Sequence, residues 1–318
     1  MNPVATAVSG VTLGIDTTVR NLTMFPLLSG APEPPSSPLT LDEALSSGWT
    51  HVTEVSEAGS VPELRVVNKG ASPVLILDGE ELVGAKQNRI VNLSILVPPQ
   101  SSLNIPVSCV EAGRWHARSR SFAAAPRAQY AAGRAQRMRQ VTVAMAASGA
   151  RHADQTAVWE DIAAKSARLH AHSPTSAMEA MFVGHRDAIE EFVEGLAPVP
   201  GQVGALFAIG DRVIGFDVLC APALLRKLLP KLVRSYALDA VDALASAPAP
   251  RRPRPRRTDS NGSLRVAATQ LLAAVIRANG KSMPAVGLGE DVRIEEPGLT
   301  AAALVADDRL VHLSAFAM

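Results

Sequence analysis

Cysteine is scarce: only Cys109 and Cys220 occur in 318 residues. That excludes a disulfide-stapled scaffold and suits a reducing compartment. Aromatic residues make up 4% of the chain, too few for a surface built on base stacking. Lysine is rare as well, with six (positions 69, 86, 165, 227, 231 and 281) among 31 basic residues, so arginine carries the positive charge. No apolar run reaches the roughly 18 residues that a membrane helix requires. The stretch from Met1 to Thr18 holds no Lys or Arg ahead of its modest apolar run, so no signal peptide is expected. A formal charge of +1 argues against a polycation, and 47% hydrophobic with 19% charged residues describes a folded globular chain. A soluble cytoplasmic protein is the expectation.

One absence is local. Between Ala112 and Ala153 there is no Asp or Glu, while the same span holds Arg114, Arg118, Arg120, Arg127, Arg134, Arg137, Arg139 and Arg151, with His116 and His152. A one-signed stretch of this kind attracts phosphate. Its aromatic content is low beyond Trp115, Phe122 and Tyr130, which weighs against general nucleic-acid binding and leaves a small phosphorylated molecule.

The patterning predicts a single α+β domain over 1–318, an antiparallel or mixed sheet from 51–110 joined by C-terminal hairpins and packed with several helices. Residues 19–30 read as an early strand, followed by an extended loop at Pro32, Pro34, Pro35 and Pro38. Thr40 and Glu43 have capping-box spacing for a short helix over 41–47. The fully apolar run from Pro73 to Leu77 ends at Asp78-Gly79, which predicts a hairpin. Helical patterns follow over Asp154–His170 and after a second capping-box spacing, Ser176 with Glu179. A β-hairpin is expected at Ala205–Phe216, then an amphipathic helix from Ala223 to Leu244 with Lys227, Lys231 and Arg234 on its polar face and a kink at Pro230. Residues 246–263 are so rich in Pro and Arg that a disordered insertion is expected. A helix from Leu264 to Ala278 and two closing strands, Ala301–Ala306 and Arg309–Phe316, complete the chain.

Two stretches carry unusual chemistry. Lys86-Gln87-Asn88-Arg89 places four long polar side chains inside an apolar sheet region. Read as extended chain, Lys86 and Asn88 face one way and Gln87 and Arg89 the other. Such a tetrad is either a charged edge strand that discourages aggregation or the lining of a polar pocket, because a buried charge without a partner is costly. The second stretch is Cys109, Glu111, Arg114 and Trp115. A thiol beside a carboxylate is not activated by that neighbour, so Cys109 reads either as a small buried residue or as a weak nucleophile. Glu111 either pairs with Arg114 or serves as an acid–base, while an Arg fork beside an aromatic face suits a flat anion.

Further along, Gly287 and Gly289 precede Glu290, Asp291 and Arg293 without the spacing of a phosphate loop. They form a ligand-approaching loop or a plain turn with a local ion pair. His312 stands in the last strand as a structural residue or an alternative base. His170 and His172 lack a third ligand, so no metal site is assigned. The residues name no cofactor.

Taken in order, these segments resemble one family, the first type of ADP-ribosylglycohydrolase-and-rhodanese-phosphatase-superfamily-associated protein domain, a domain of unknown function. The segments that carry the likeness are Gly79-Glu80 with Gly84 and Lys86 to Arg89, and Pro106 through Cys109 and Glu111 to Arg114-Trp115. Gln155 with Trp159, the run Lys231 to Ala240 around Tyr236, Gly287 to Arg293, and His312 to Phe316 add to it. The Pro/Arg-rich insertion and Cys220 depart from the pattern. The resemblance implies a prokaryotic α+β domain associated with enzymes that act on ADP-ribose. It also moves the tetrad and Glu111 to Trp115 towards a site. Two readings result. In one, an enzyme acts on a phosphorylated or ADP-ribose-like molecule: Lys86, Gln87, Asn88, Arg89, Arg114, Trp115, Glu290, Asp291 and Arg293 bind it, Glu111, Glu80 or His312 moves a proton, and Cys109 is a weaker nucleophile candidate. In the other, a noncatalytic module senses such a nucleotide or docks a partner protein.

Overall fold

The computed structural model describes residues 2–31, 33, 36–246 and 260–318. Its largest element is an antiparallel sheet. In spatial order the strands are Val11–Leu13, Leu22–Ser29, Gln202–Ile209, Arg212–Leu219, Arg309–Ala317, Leu299–Ala306, Glu290–Glu296 and Lys281–Pro284, with Thr17–Val19 also paired to Leu22–Ser29. Period-two alternation sends side chains to opposite faces. Phe25, Leu27, Leu206, Phe216, Leu313 and Ala315 pack with Val4 and Val8 of the helix Pro3–Ser9 and with Leu264, Ala268 and Val275 of the helix Ser260–Arg277. Met24, Phe207, Leu304 and Phe316 pack on the other face against Leu225, Leu229, Leu232 and Tyr236 of the helix Pro222–Ala245. The Tyr236 ring stacks on Phe207 with centroids 4.1 Å apart.

Residues 51–110 do not form one sheet. Ile95–Val97, Val74–Ile76 and Leu39–Thr40 make a small sheet that contains a parallel pair, Leu39–Thr40 with Val74–Ile76. Phe122–Ala128, Glu80–Gly84, Arg89–Val91, Ser101–Cys109, Glu63–Asn68 and Thr50–Glu54 make a six-stranded one. The hairpin expected at Asp78-Gly79 is therefore a crossing turn: Val74–Ile76 and Glu80–Gly84 belong to different sheets. Apolar side chains from both sheets, among them Ile76, Leu82, Val91 and Ile105, close a core with Val141 and Met145.

Helices differ from expectation where their apolar signal is weak or broken. Ala131–Ser148 is helical although its sequence carries no clear stripe, because it buries Arg134 and Arg137 beside Met138 and alanines. The helix expected from Ser176 is two pieces, Glu179–Gly184 and Arg186–Gly195, and no side-chain cap forms at Ser176. At Thr40 the capping box does form: the Thr40 hydroxyl accepts from the Glu43 amide at 3.3 Å and Glu43 accepts from the Thr40 amide at 2.9 Å. Lys231, expected on a polar face, is buried. Of the insertion expected over 246–263, residues 247–259 lie outside the described residues, as do Pro32, Pro34 and Pro35, while 260–263 begin the helix Ser260–Arg277. Among the described residues no helix is long and apolar enough to cross a membrane.

Removing a capping hydroxyl strands a helix amide, whereas truncating a buried leucine leaves a cavity. Thr40→Ala should lower unfolding free energy by about 1 kcal/mol and Leu232→Ala by about 2–5 kcal/mol, both read by urea denaturation.

Candidate functional site

The tetrad is neither an edge nor a regular strand. After Glu80–Gly84 the chain turns at Gly84 (φ 132°) and Ala85 (φ 38°), so that residues 85–88 form a bend before Arg89–Val91. A side chain at 84 would strike Ser119 and the Ser121 carbonyl. Arg89–Val91 is an inner strand between Glu80–Gly84 and Ser101–Cys109, and Gln87, Asn88 and Arg89 are buried.

That bend is held from below by Glu111 and Arg114. Glu111 accepts from the Asn88 amide at 3.1 Å, from Arg114 Nη2 at 2.6 Å and from the Thr175 hydroxyl at 2.7 Å. Arg114 also donates to the Ala85 carbonyl at 2.6 Å and to Asn88 Oδ1 at 3.1 Å. Burial pushes the Glu111 carboxyl up, but the Arg114, Thr175 and Asn88 donors outweigh it and hold the group below its ordinary value. The pairing of Glu111 with Arg114 raised by the sequence is thus present, and it fixes the loop.

Arg89 is the exception to this balance. It is fully buried and forms no ion pair with a described residue. Nη1 donates to Gln87 Oε1 at 2.8 Å, while Nε and Nη2, which share one edge of the guanidinium, have no hydrogen-bond partner among the described residues. Burial lowers its pKa from the ordinary arginine value. The guanidinium lies 5.5 Å from the centroid of Trp115, a ring also approached by Lys86 Nζ at 5.5 Å. Trp115 is 45% exposed, so the cluster reaches the surface through it. Lys86 Nζ donates to the Ala58 carbonyl at 2.9 Å. A Cβ at Gly59 would touch Lys86, Glu54 and Trp115, so residues 58–59 cover the cluster.

Cys109 pairs with Arg89 across the strands. It is buried, and burial pushes its thiol up to about 11 despite Arg89. Gln155 clamps this strand end, accepting from the Cys109 amide at 2.7 Å and donating to its carbonyl at 2.9 Å.

The other expected site residues lie elsewhere. Glu80 projects away from Arg89 into a buried bridge with Lys231, which also meets Asp42 at 2.6 Å. Asp291 and Arg293 form a bidentate pair at 2.7 and 2.8 Å, and exposed Glu290 accepts from the Ser282 hydroxyl. The 287–293 segment bends up to Gly289 and then enters the strand Glu290–Glu296, which carries the local ion pair. His312 belongs to a separate buried network. Its Nδ1 is 2.6 Å from the Ser94 hydroxyl and its Nε2 3.4 Å from Asp217. Asp217 meets Arg134 Nη2 at 2.6 Å, the Ser314 hydroxyl at 2.6 Å and the Tyr236 hydroxyl at 3.1 Å. Arg134 approaches Asp78 at 3.7 Å, and Arg137 binds the same carboxylate at 2.6 Å. Burial raises Asp217, yet Arg134 and His312 hold it well below the usual carboxylate range.

Ser94 and Asp217 are absent from the site residues expected from the sequence, and Arg134 figures there only as one of the arginines of the positive stretch. The one signal was an acid, Asp217, inside the apolar run Gly215–Leu219. Half of the arginines in 112–153 are turned inward: Arg114, Arg127, Arg134 and Arg137 are buried against carboxylates, whereas Arg118, Arg120 and Arg139 are exposed. That spends on internal pairs charge that a nucleic-acid surface would need.

A carboxyl held low in the folded state stabilises it above the unfolded pKa and loses that contribution as pH falls. Glu111→Gln should therefore cost about 3–5 kcal/mol at pH 7 by leaving Arg114 unpaired, and less as the pH drops below the ordinary Glu value of 4.5. Urea titrations at pH 7 and pH 4 measure both.

No curated protein and no solved structure matches the chain. A family model does: the ARG and Rhodanese-Phosphatase-superfamily-associated Protein domain aligns with residues 10–316, a span that contains the bend, the Glu111–Arg114 brace and the His312 network. With nearly the whole chain inside that match, the protein belongs to the ARG and Rhodanese-Phosphatase-superfamily-associated Protein domain family.

Proposed function

We propose that this protein binds a phosphorylated, nucleotide-derived small molecule of the ADP-ribose or NAD type at the Arg89–Lys86–Trp115 cluster, as a sensing or docking module. The observation that carries the reading is Arg89: a buried guanidinium with the Nε–Nη2 edge unpartnered. Burying a cation with no carboxylate at ion-pair distance is unfavourable, and Glu54 and Glu111 act on Arg89 only from farther away. A phosphate oxygen pair matches the vacant fork in geometry and sign. Lys86 adds a second cation, and the half-exposed indole offers a flat surface for a base or nicotinamide ring. Other buried arginines, such as Arg114, Arg127 and Arg134, face carboxylates. The link in the family's name to ADP-ribosylglycohydrolases favours ADP-ribose over other phosphates.

Binding is favoured over catalysis at this cluster by the state of its acid–base groups. Glu111 is committed to three donors and held low, Cys109 is a buried thiol pushed up to about 11, and Glu80 sits in its bridge with Lys231. Because Ala58 and Gly59 lie against Lys86 and Trp115, ligand entry displaces that segment.

A thermal-shift series with ADP-ribose, NAD and inorganic pyrophosphate tests the reading, since a ligand selective for the folded state raises Tm. ADP-ribose is expected to raise it. Trp115→Ala, at a half-exposed position, should weaken binding roughly 10-fold or more through lost stacking, and Arg89→Lys should weaken it by removing the fork. No shift with any of the three compounds, or equal shifts in both variants, would overturn it.

A further inference from the structure

Away from Arg89, three side chains from distant parts of the chain meet in a hydroxyl–imidazole–carboxylate line. Ser94 lies between the strands Arg89–Val91 and Ile95–Val97, His312 is on Arg309–Ala317, and Asp217 is on Arg212–Leu219. Ser94 Oγ lies 2.6 Å from His312 Nδ1, within hydrogen-bond reach of a nucleophile and its base, while His312 Nε2 stands 3.4 Å from both Asp217 Oδ1 and the Ser314 hydroxyl, longer than a normal hydrogen bond.

Proton positions follow from the partners. Asp217 is held ionised by Arg134 and can only accept. With its proton on Nε2, between Asp217 and the Ser314 hydroxyl, the imidazole would present the Nδ1 lone pair to Ser94. The Ser94 oxygen accepts from the Asp78 amide at 3.1 Å, which leaves its one hydrogen directed at Nδ1. His312 and Asp217 are 1% and 0% exposed. Ser94 is part-exposed as a residue, so it is the one of the three that meets solvent. Asp217 is braced by Arg134, Ser314 and Tyr236, and Asp78 by Arg137. The result is a rigid constellation of the kind that recurs on unrelated folds and is recognised by geometry, not by order in the chain.

We propose that Ser94 is a nucleophile activated by His312, with Asp217 as its positioning residue, and that it cleaves a small carboxylic ester. Ser94 Oγ forms a bond to the ester carbonyl carbon as its proton passes to His312 Nδ1 and the carbonyl π pair moves onto oxygen. Collapse breaks the bond to the alkoxy oxygen, which leaves with the proton from Nδ1 as an alcohol. Water then attacks the acyl-serine, giving a proton to Nδ1; the restored Ser94 oxygen recovers that proton, and a carboxylic acid departs. The substrate must be small at the reacting end, because the relay meets solvent through Ser94. This activity is independent of the ligand proposed for Arg89.

The probe is a fluorophosphonate, whose phosphorus traps an activated serine with loss of fluoride, mapped by peptide mass spectrometry on the full chain. Modification is expected at Ser94, absent in Ser94→Ala, and slowed about 100-fold or more in His312→Gln. Because His312 is buried and its variant can fail to fold, Ser94→Cys supplies a second reading. A thiol beside the imidazole should be alkylated by iodoacetamide at pH 6 at least about 10-fold faster than Cys220 in the same molecule, as expected of a thiol whose pKa is lowered by a neighbouring base. An unmodified Ser94 in the wild type, or a thiol introduced by Ser94→Cys that reacts no faster than Cys220, would overturn the proposal.

Discussion

One guanidinium shared between two carboxylates joins the sheet systems of this fold. Arg134 pairs with Asp217 of the large sheet and approaches Asp78 of the turn between the two smaller sheets, with Arg137 completing the neutralisation of Asp78. Each of these charges is out of water, and a buried charge separated from its partner is strongly destabilising. The docking of the sheets is therefore constrained to a placement that brings these charges together. The same docking brings Ser94 of the smaller half against His312 of the larger one. Buried pairs of this kind add little net stability over an apolar replacement; here they specify geometry.

Among the buried arginines, Arg89 stands out by what it lacks. Four arginines in the positive stretch, at 114, 127, 134 and 137, find carboxylates from Glu111, Glu81, Asp217 and Asp78. Arg89 finds a glutamine and an indole. A chain that pairs its buried cations this consistently yet leaves one fork open has a local conflict of the sort expected where function overrides stability. The Glu111–Arg114 brace fits the same view: it shapes the bend that presents Lys86 and Arg89 and commits the Glu111 carboxyl to holding it.

Much of the fold was legible in residue patterns. The hairpin at 205–216, the capping box at Thr40 and the closing strands stand as read, because each rests on contacts close in sequence. The Ala131–Ser148 helix was hidden because its inward face holds Arg134 and Arg137, and a period built on apolar residues cannot register a buried cation whose partner is distant. The tetrad was misread as extended chain because a bend created by Gly84 and Ala85 looks like strand in composition. Of the site residues, Lys86 to Arg89, Cys109, Glu111, Arg114 and Trp115 do come together. Glu80, Glu290, Asp291, Arg293 and His312 do not join them, since each has a nearer partner.

The amino-acid sequence alone determined the α+β class, the family and the local elements, since propensity, capping and alternation act over a few residues. Only the tertiary structure decided which charges are neutralised, which hydroxyl faces His312 and which guanidinium is left open. Those outcomes depend on pairings such as Arg134 with Asp217 across 83 residues and Ser94 with His312 across 218, and no local preference encodes a partner at that range.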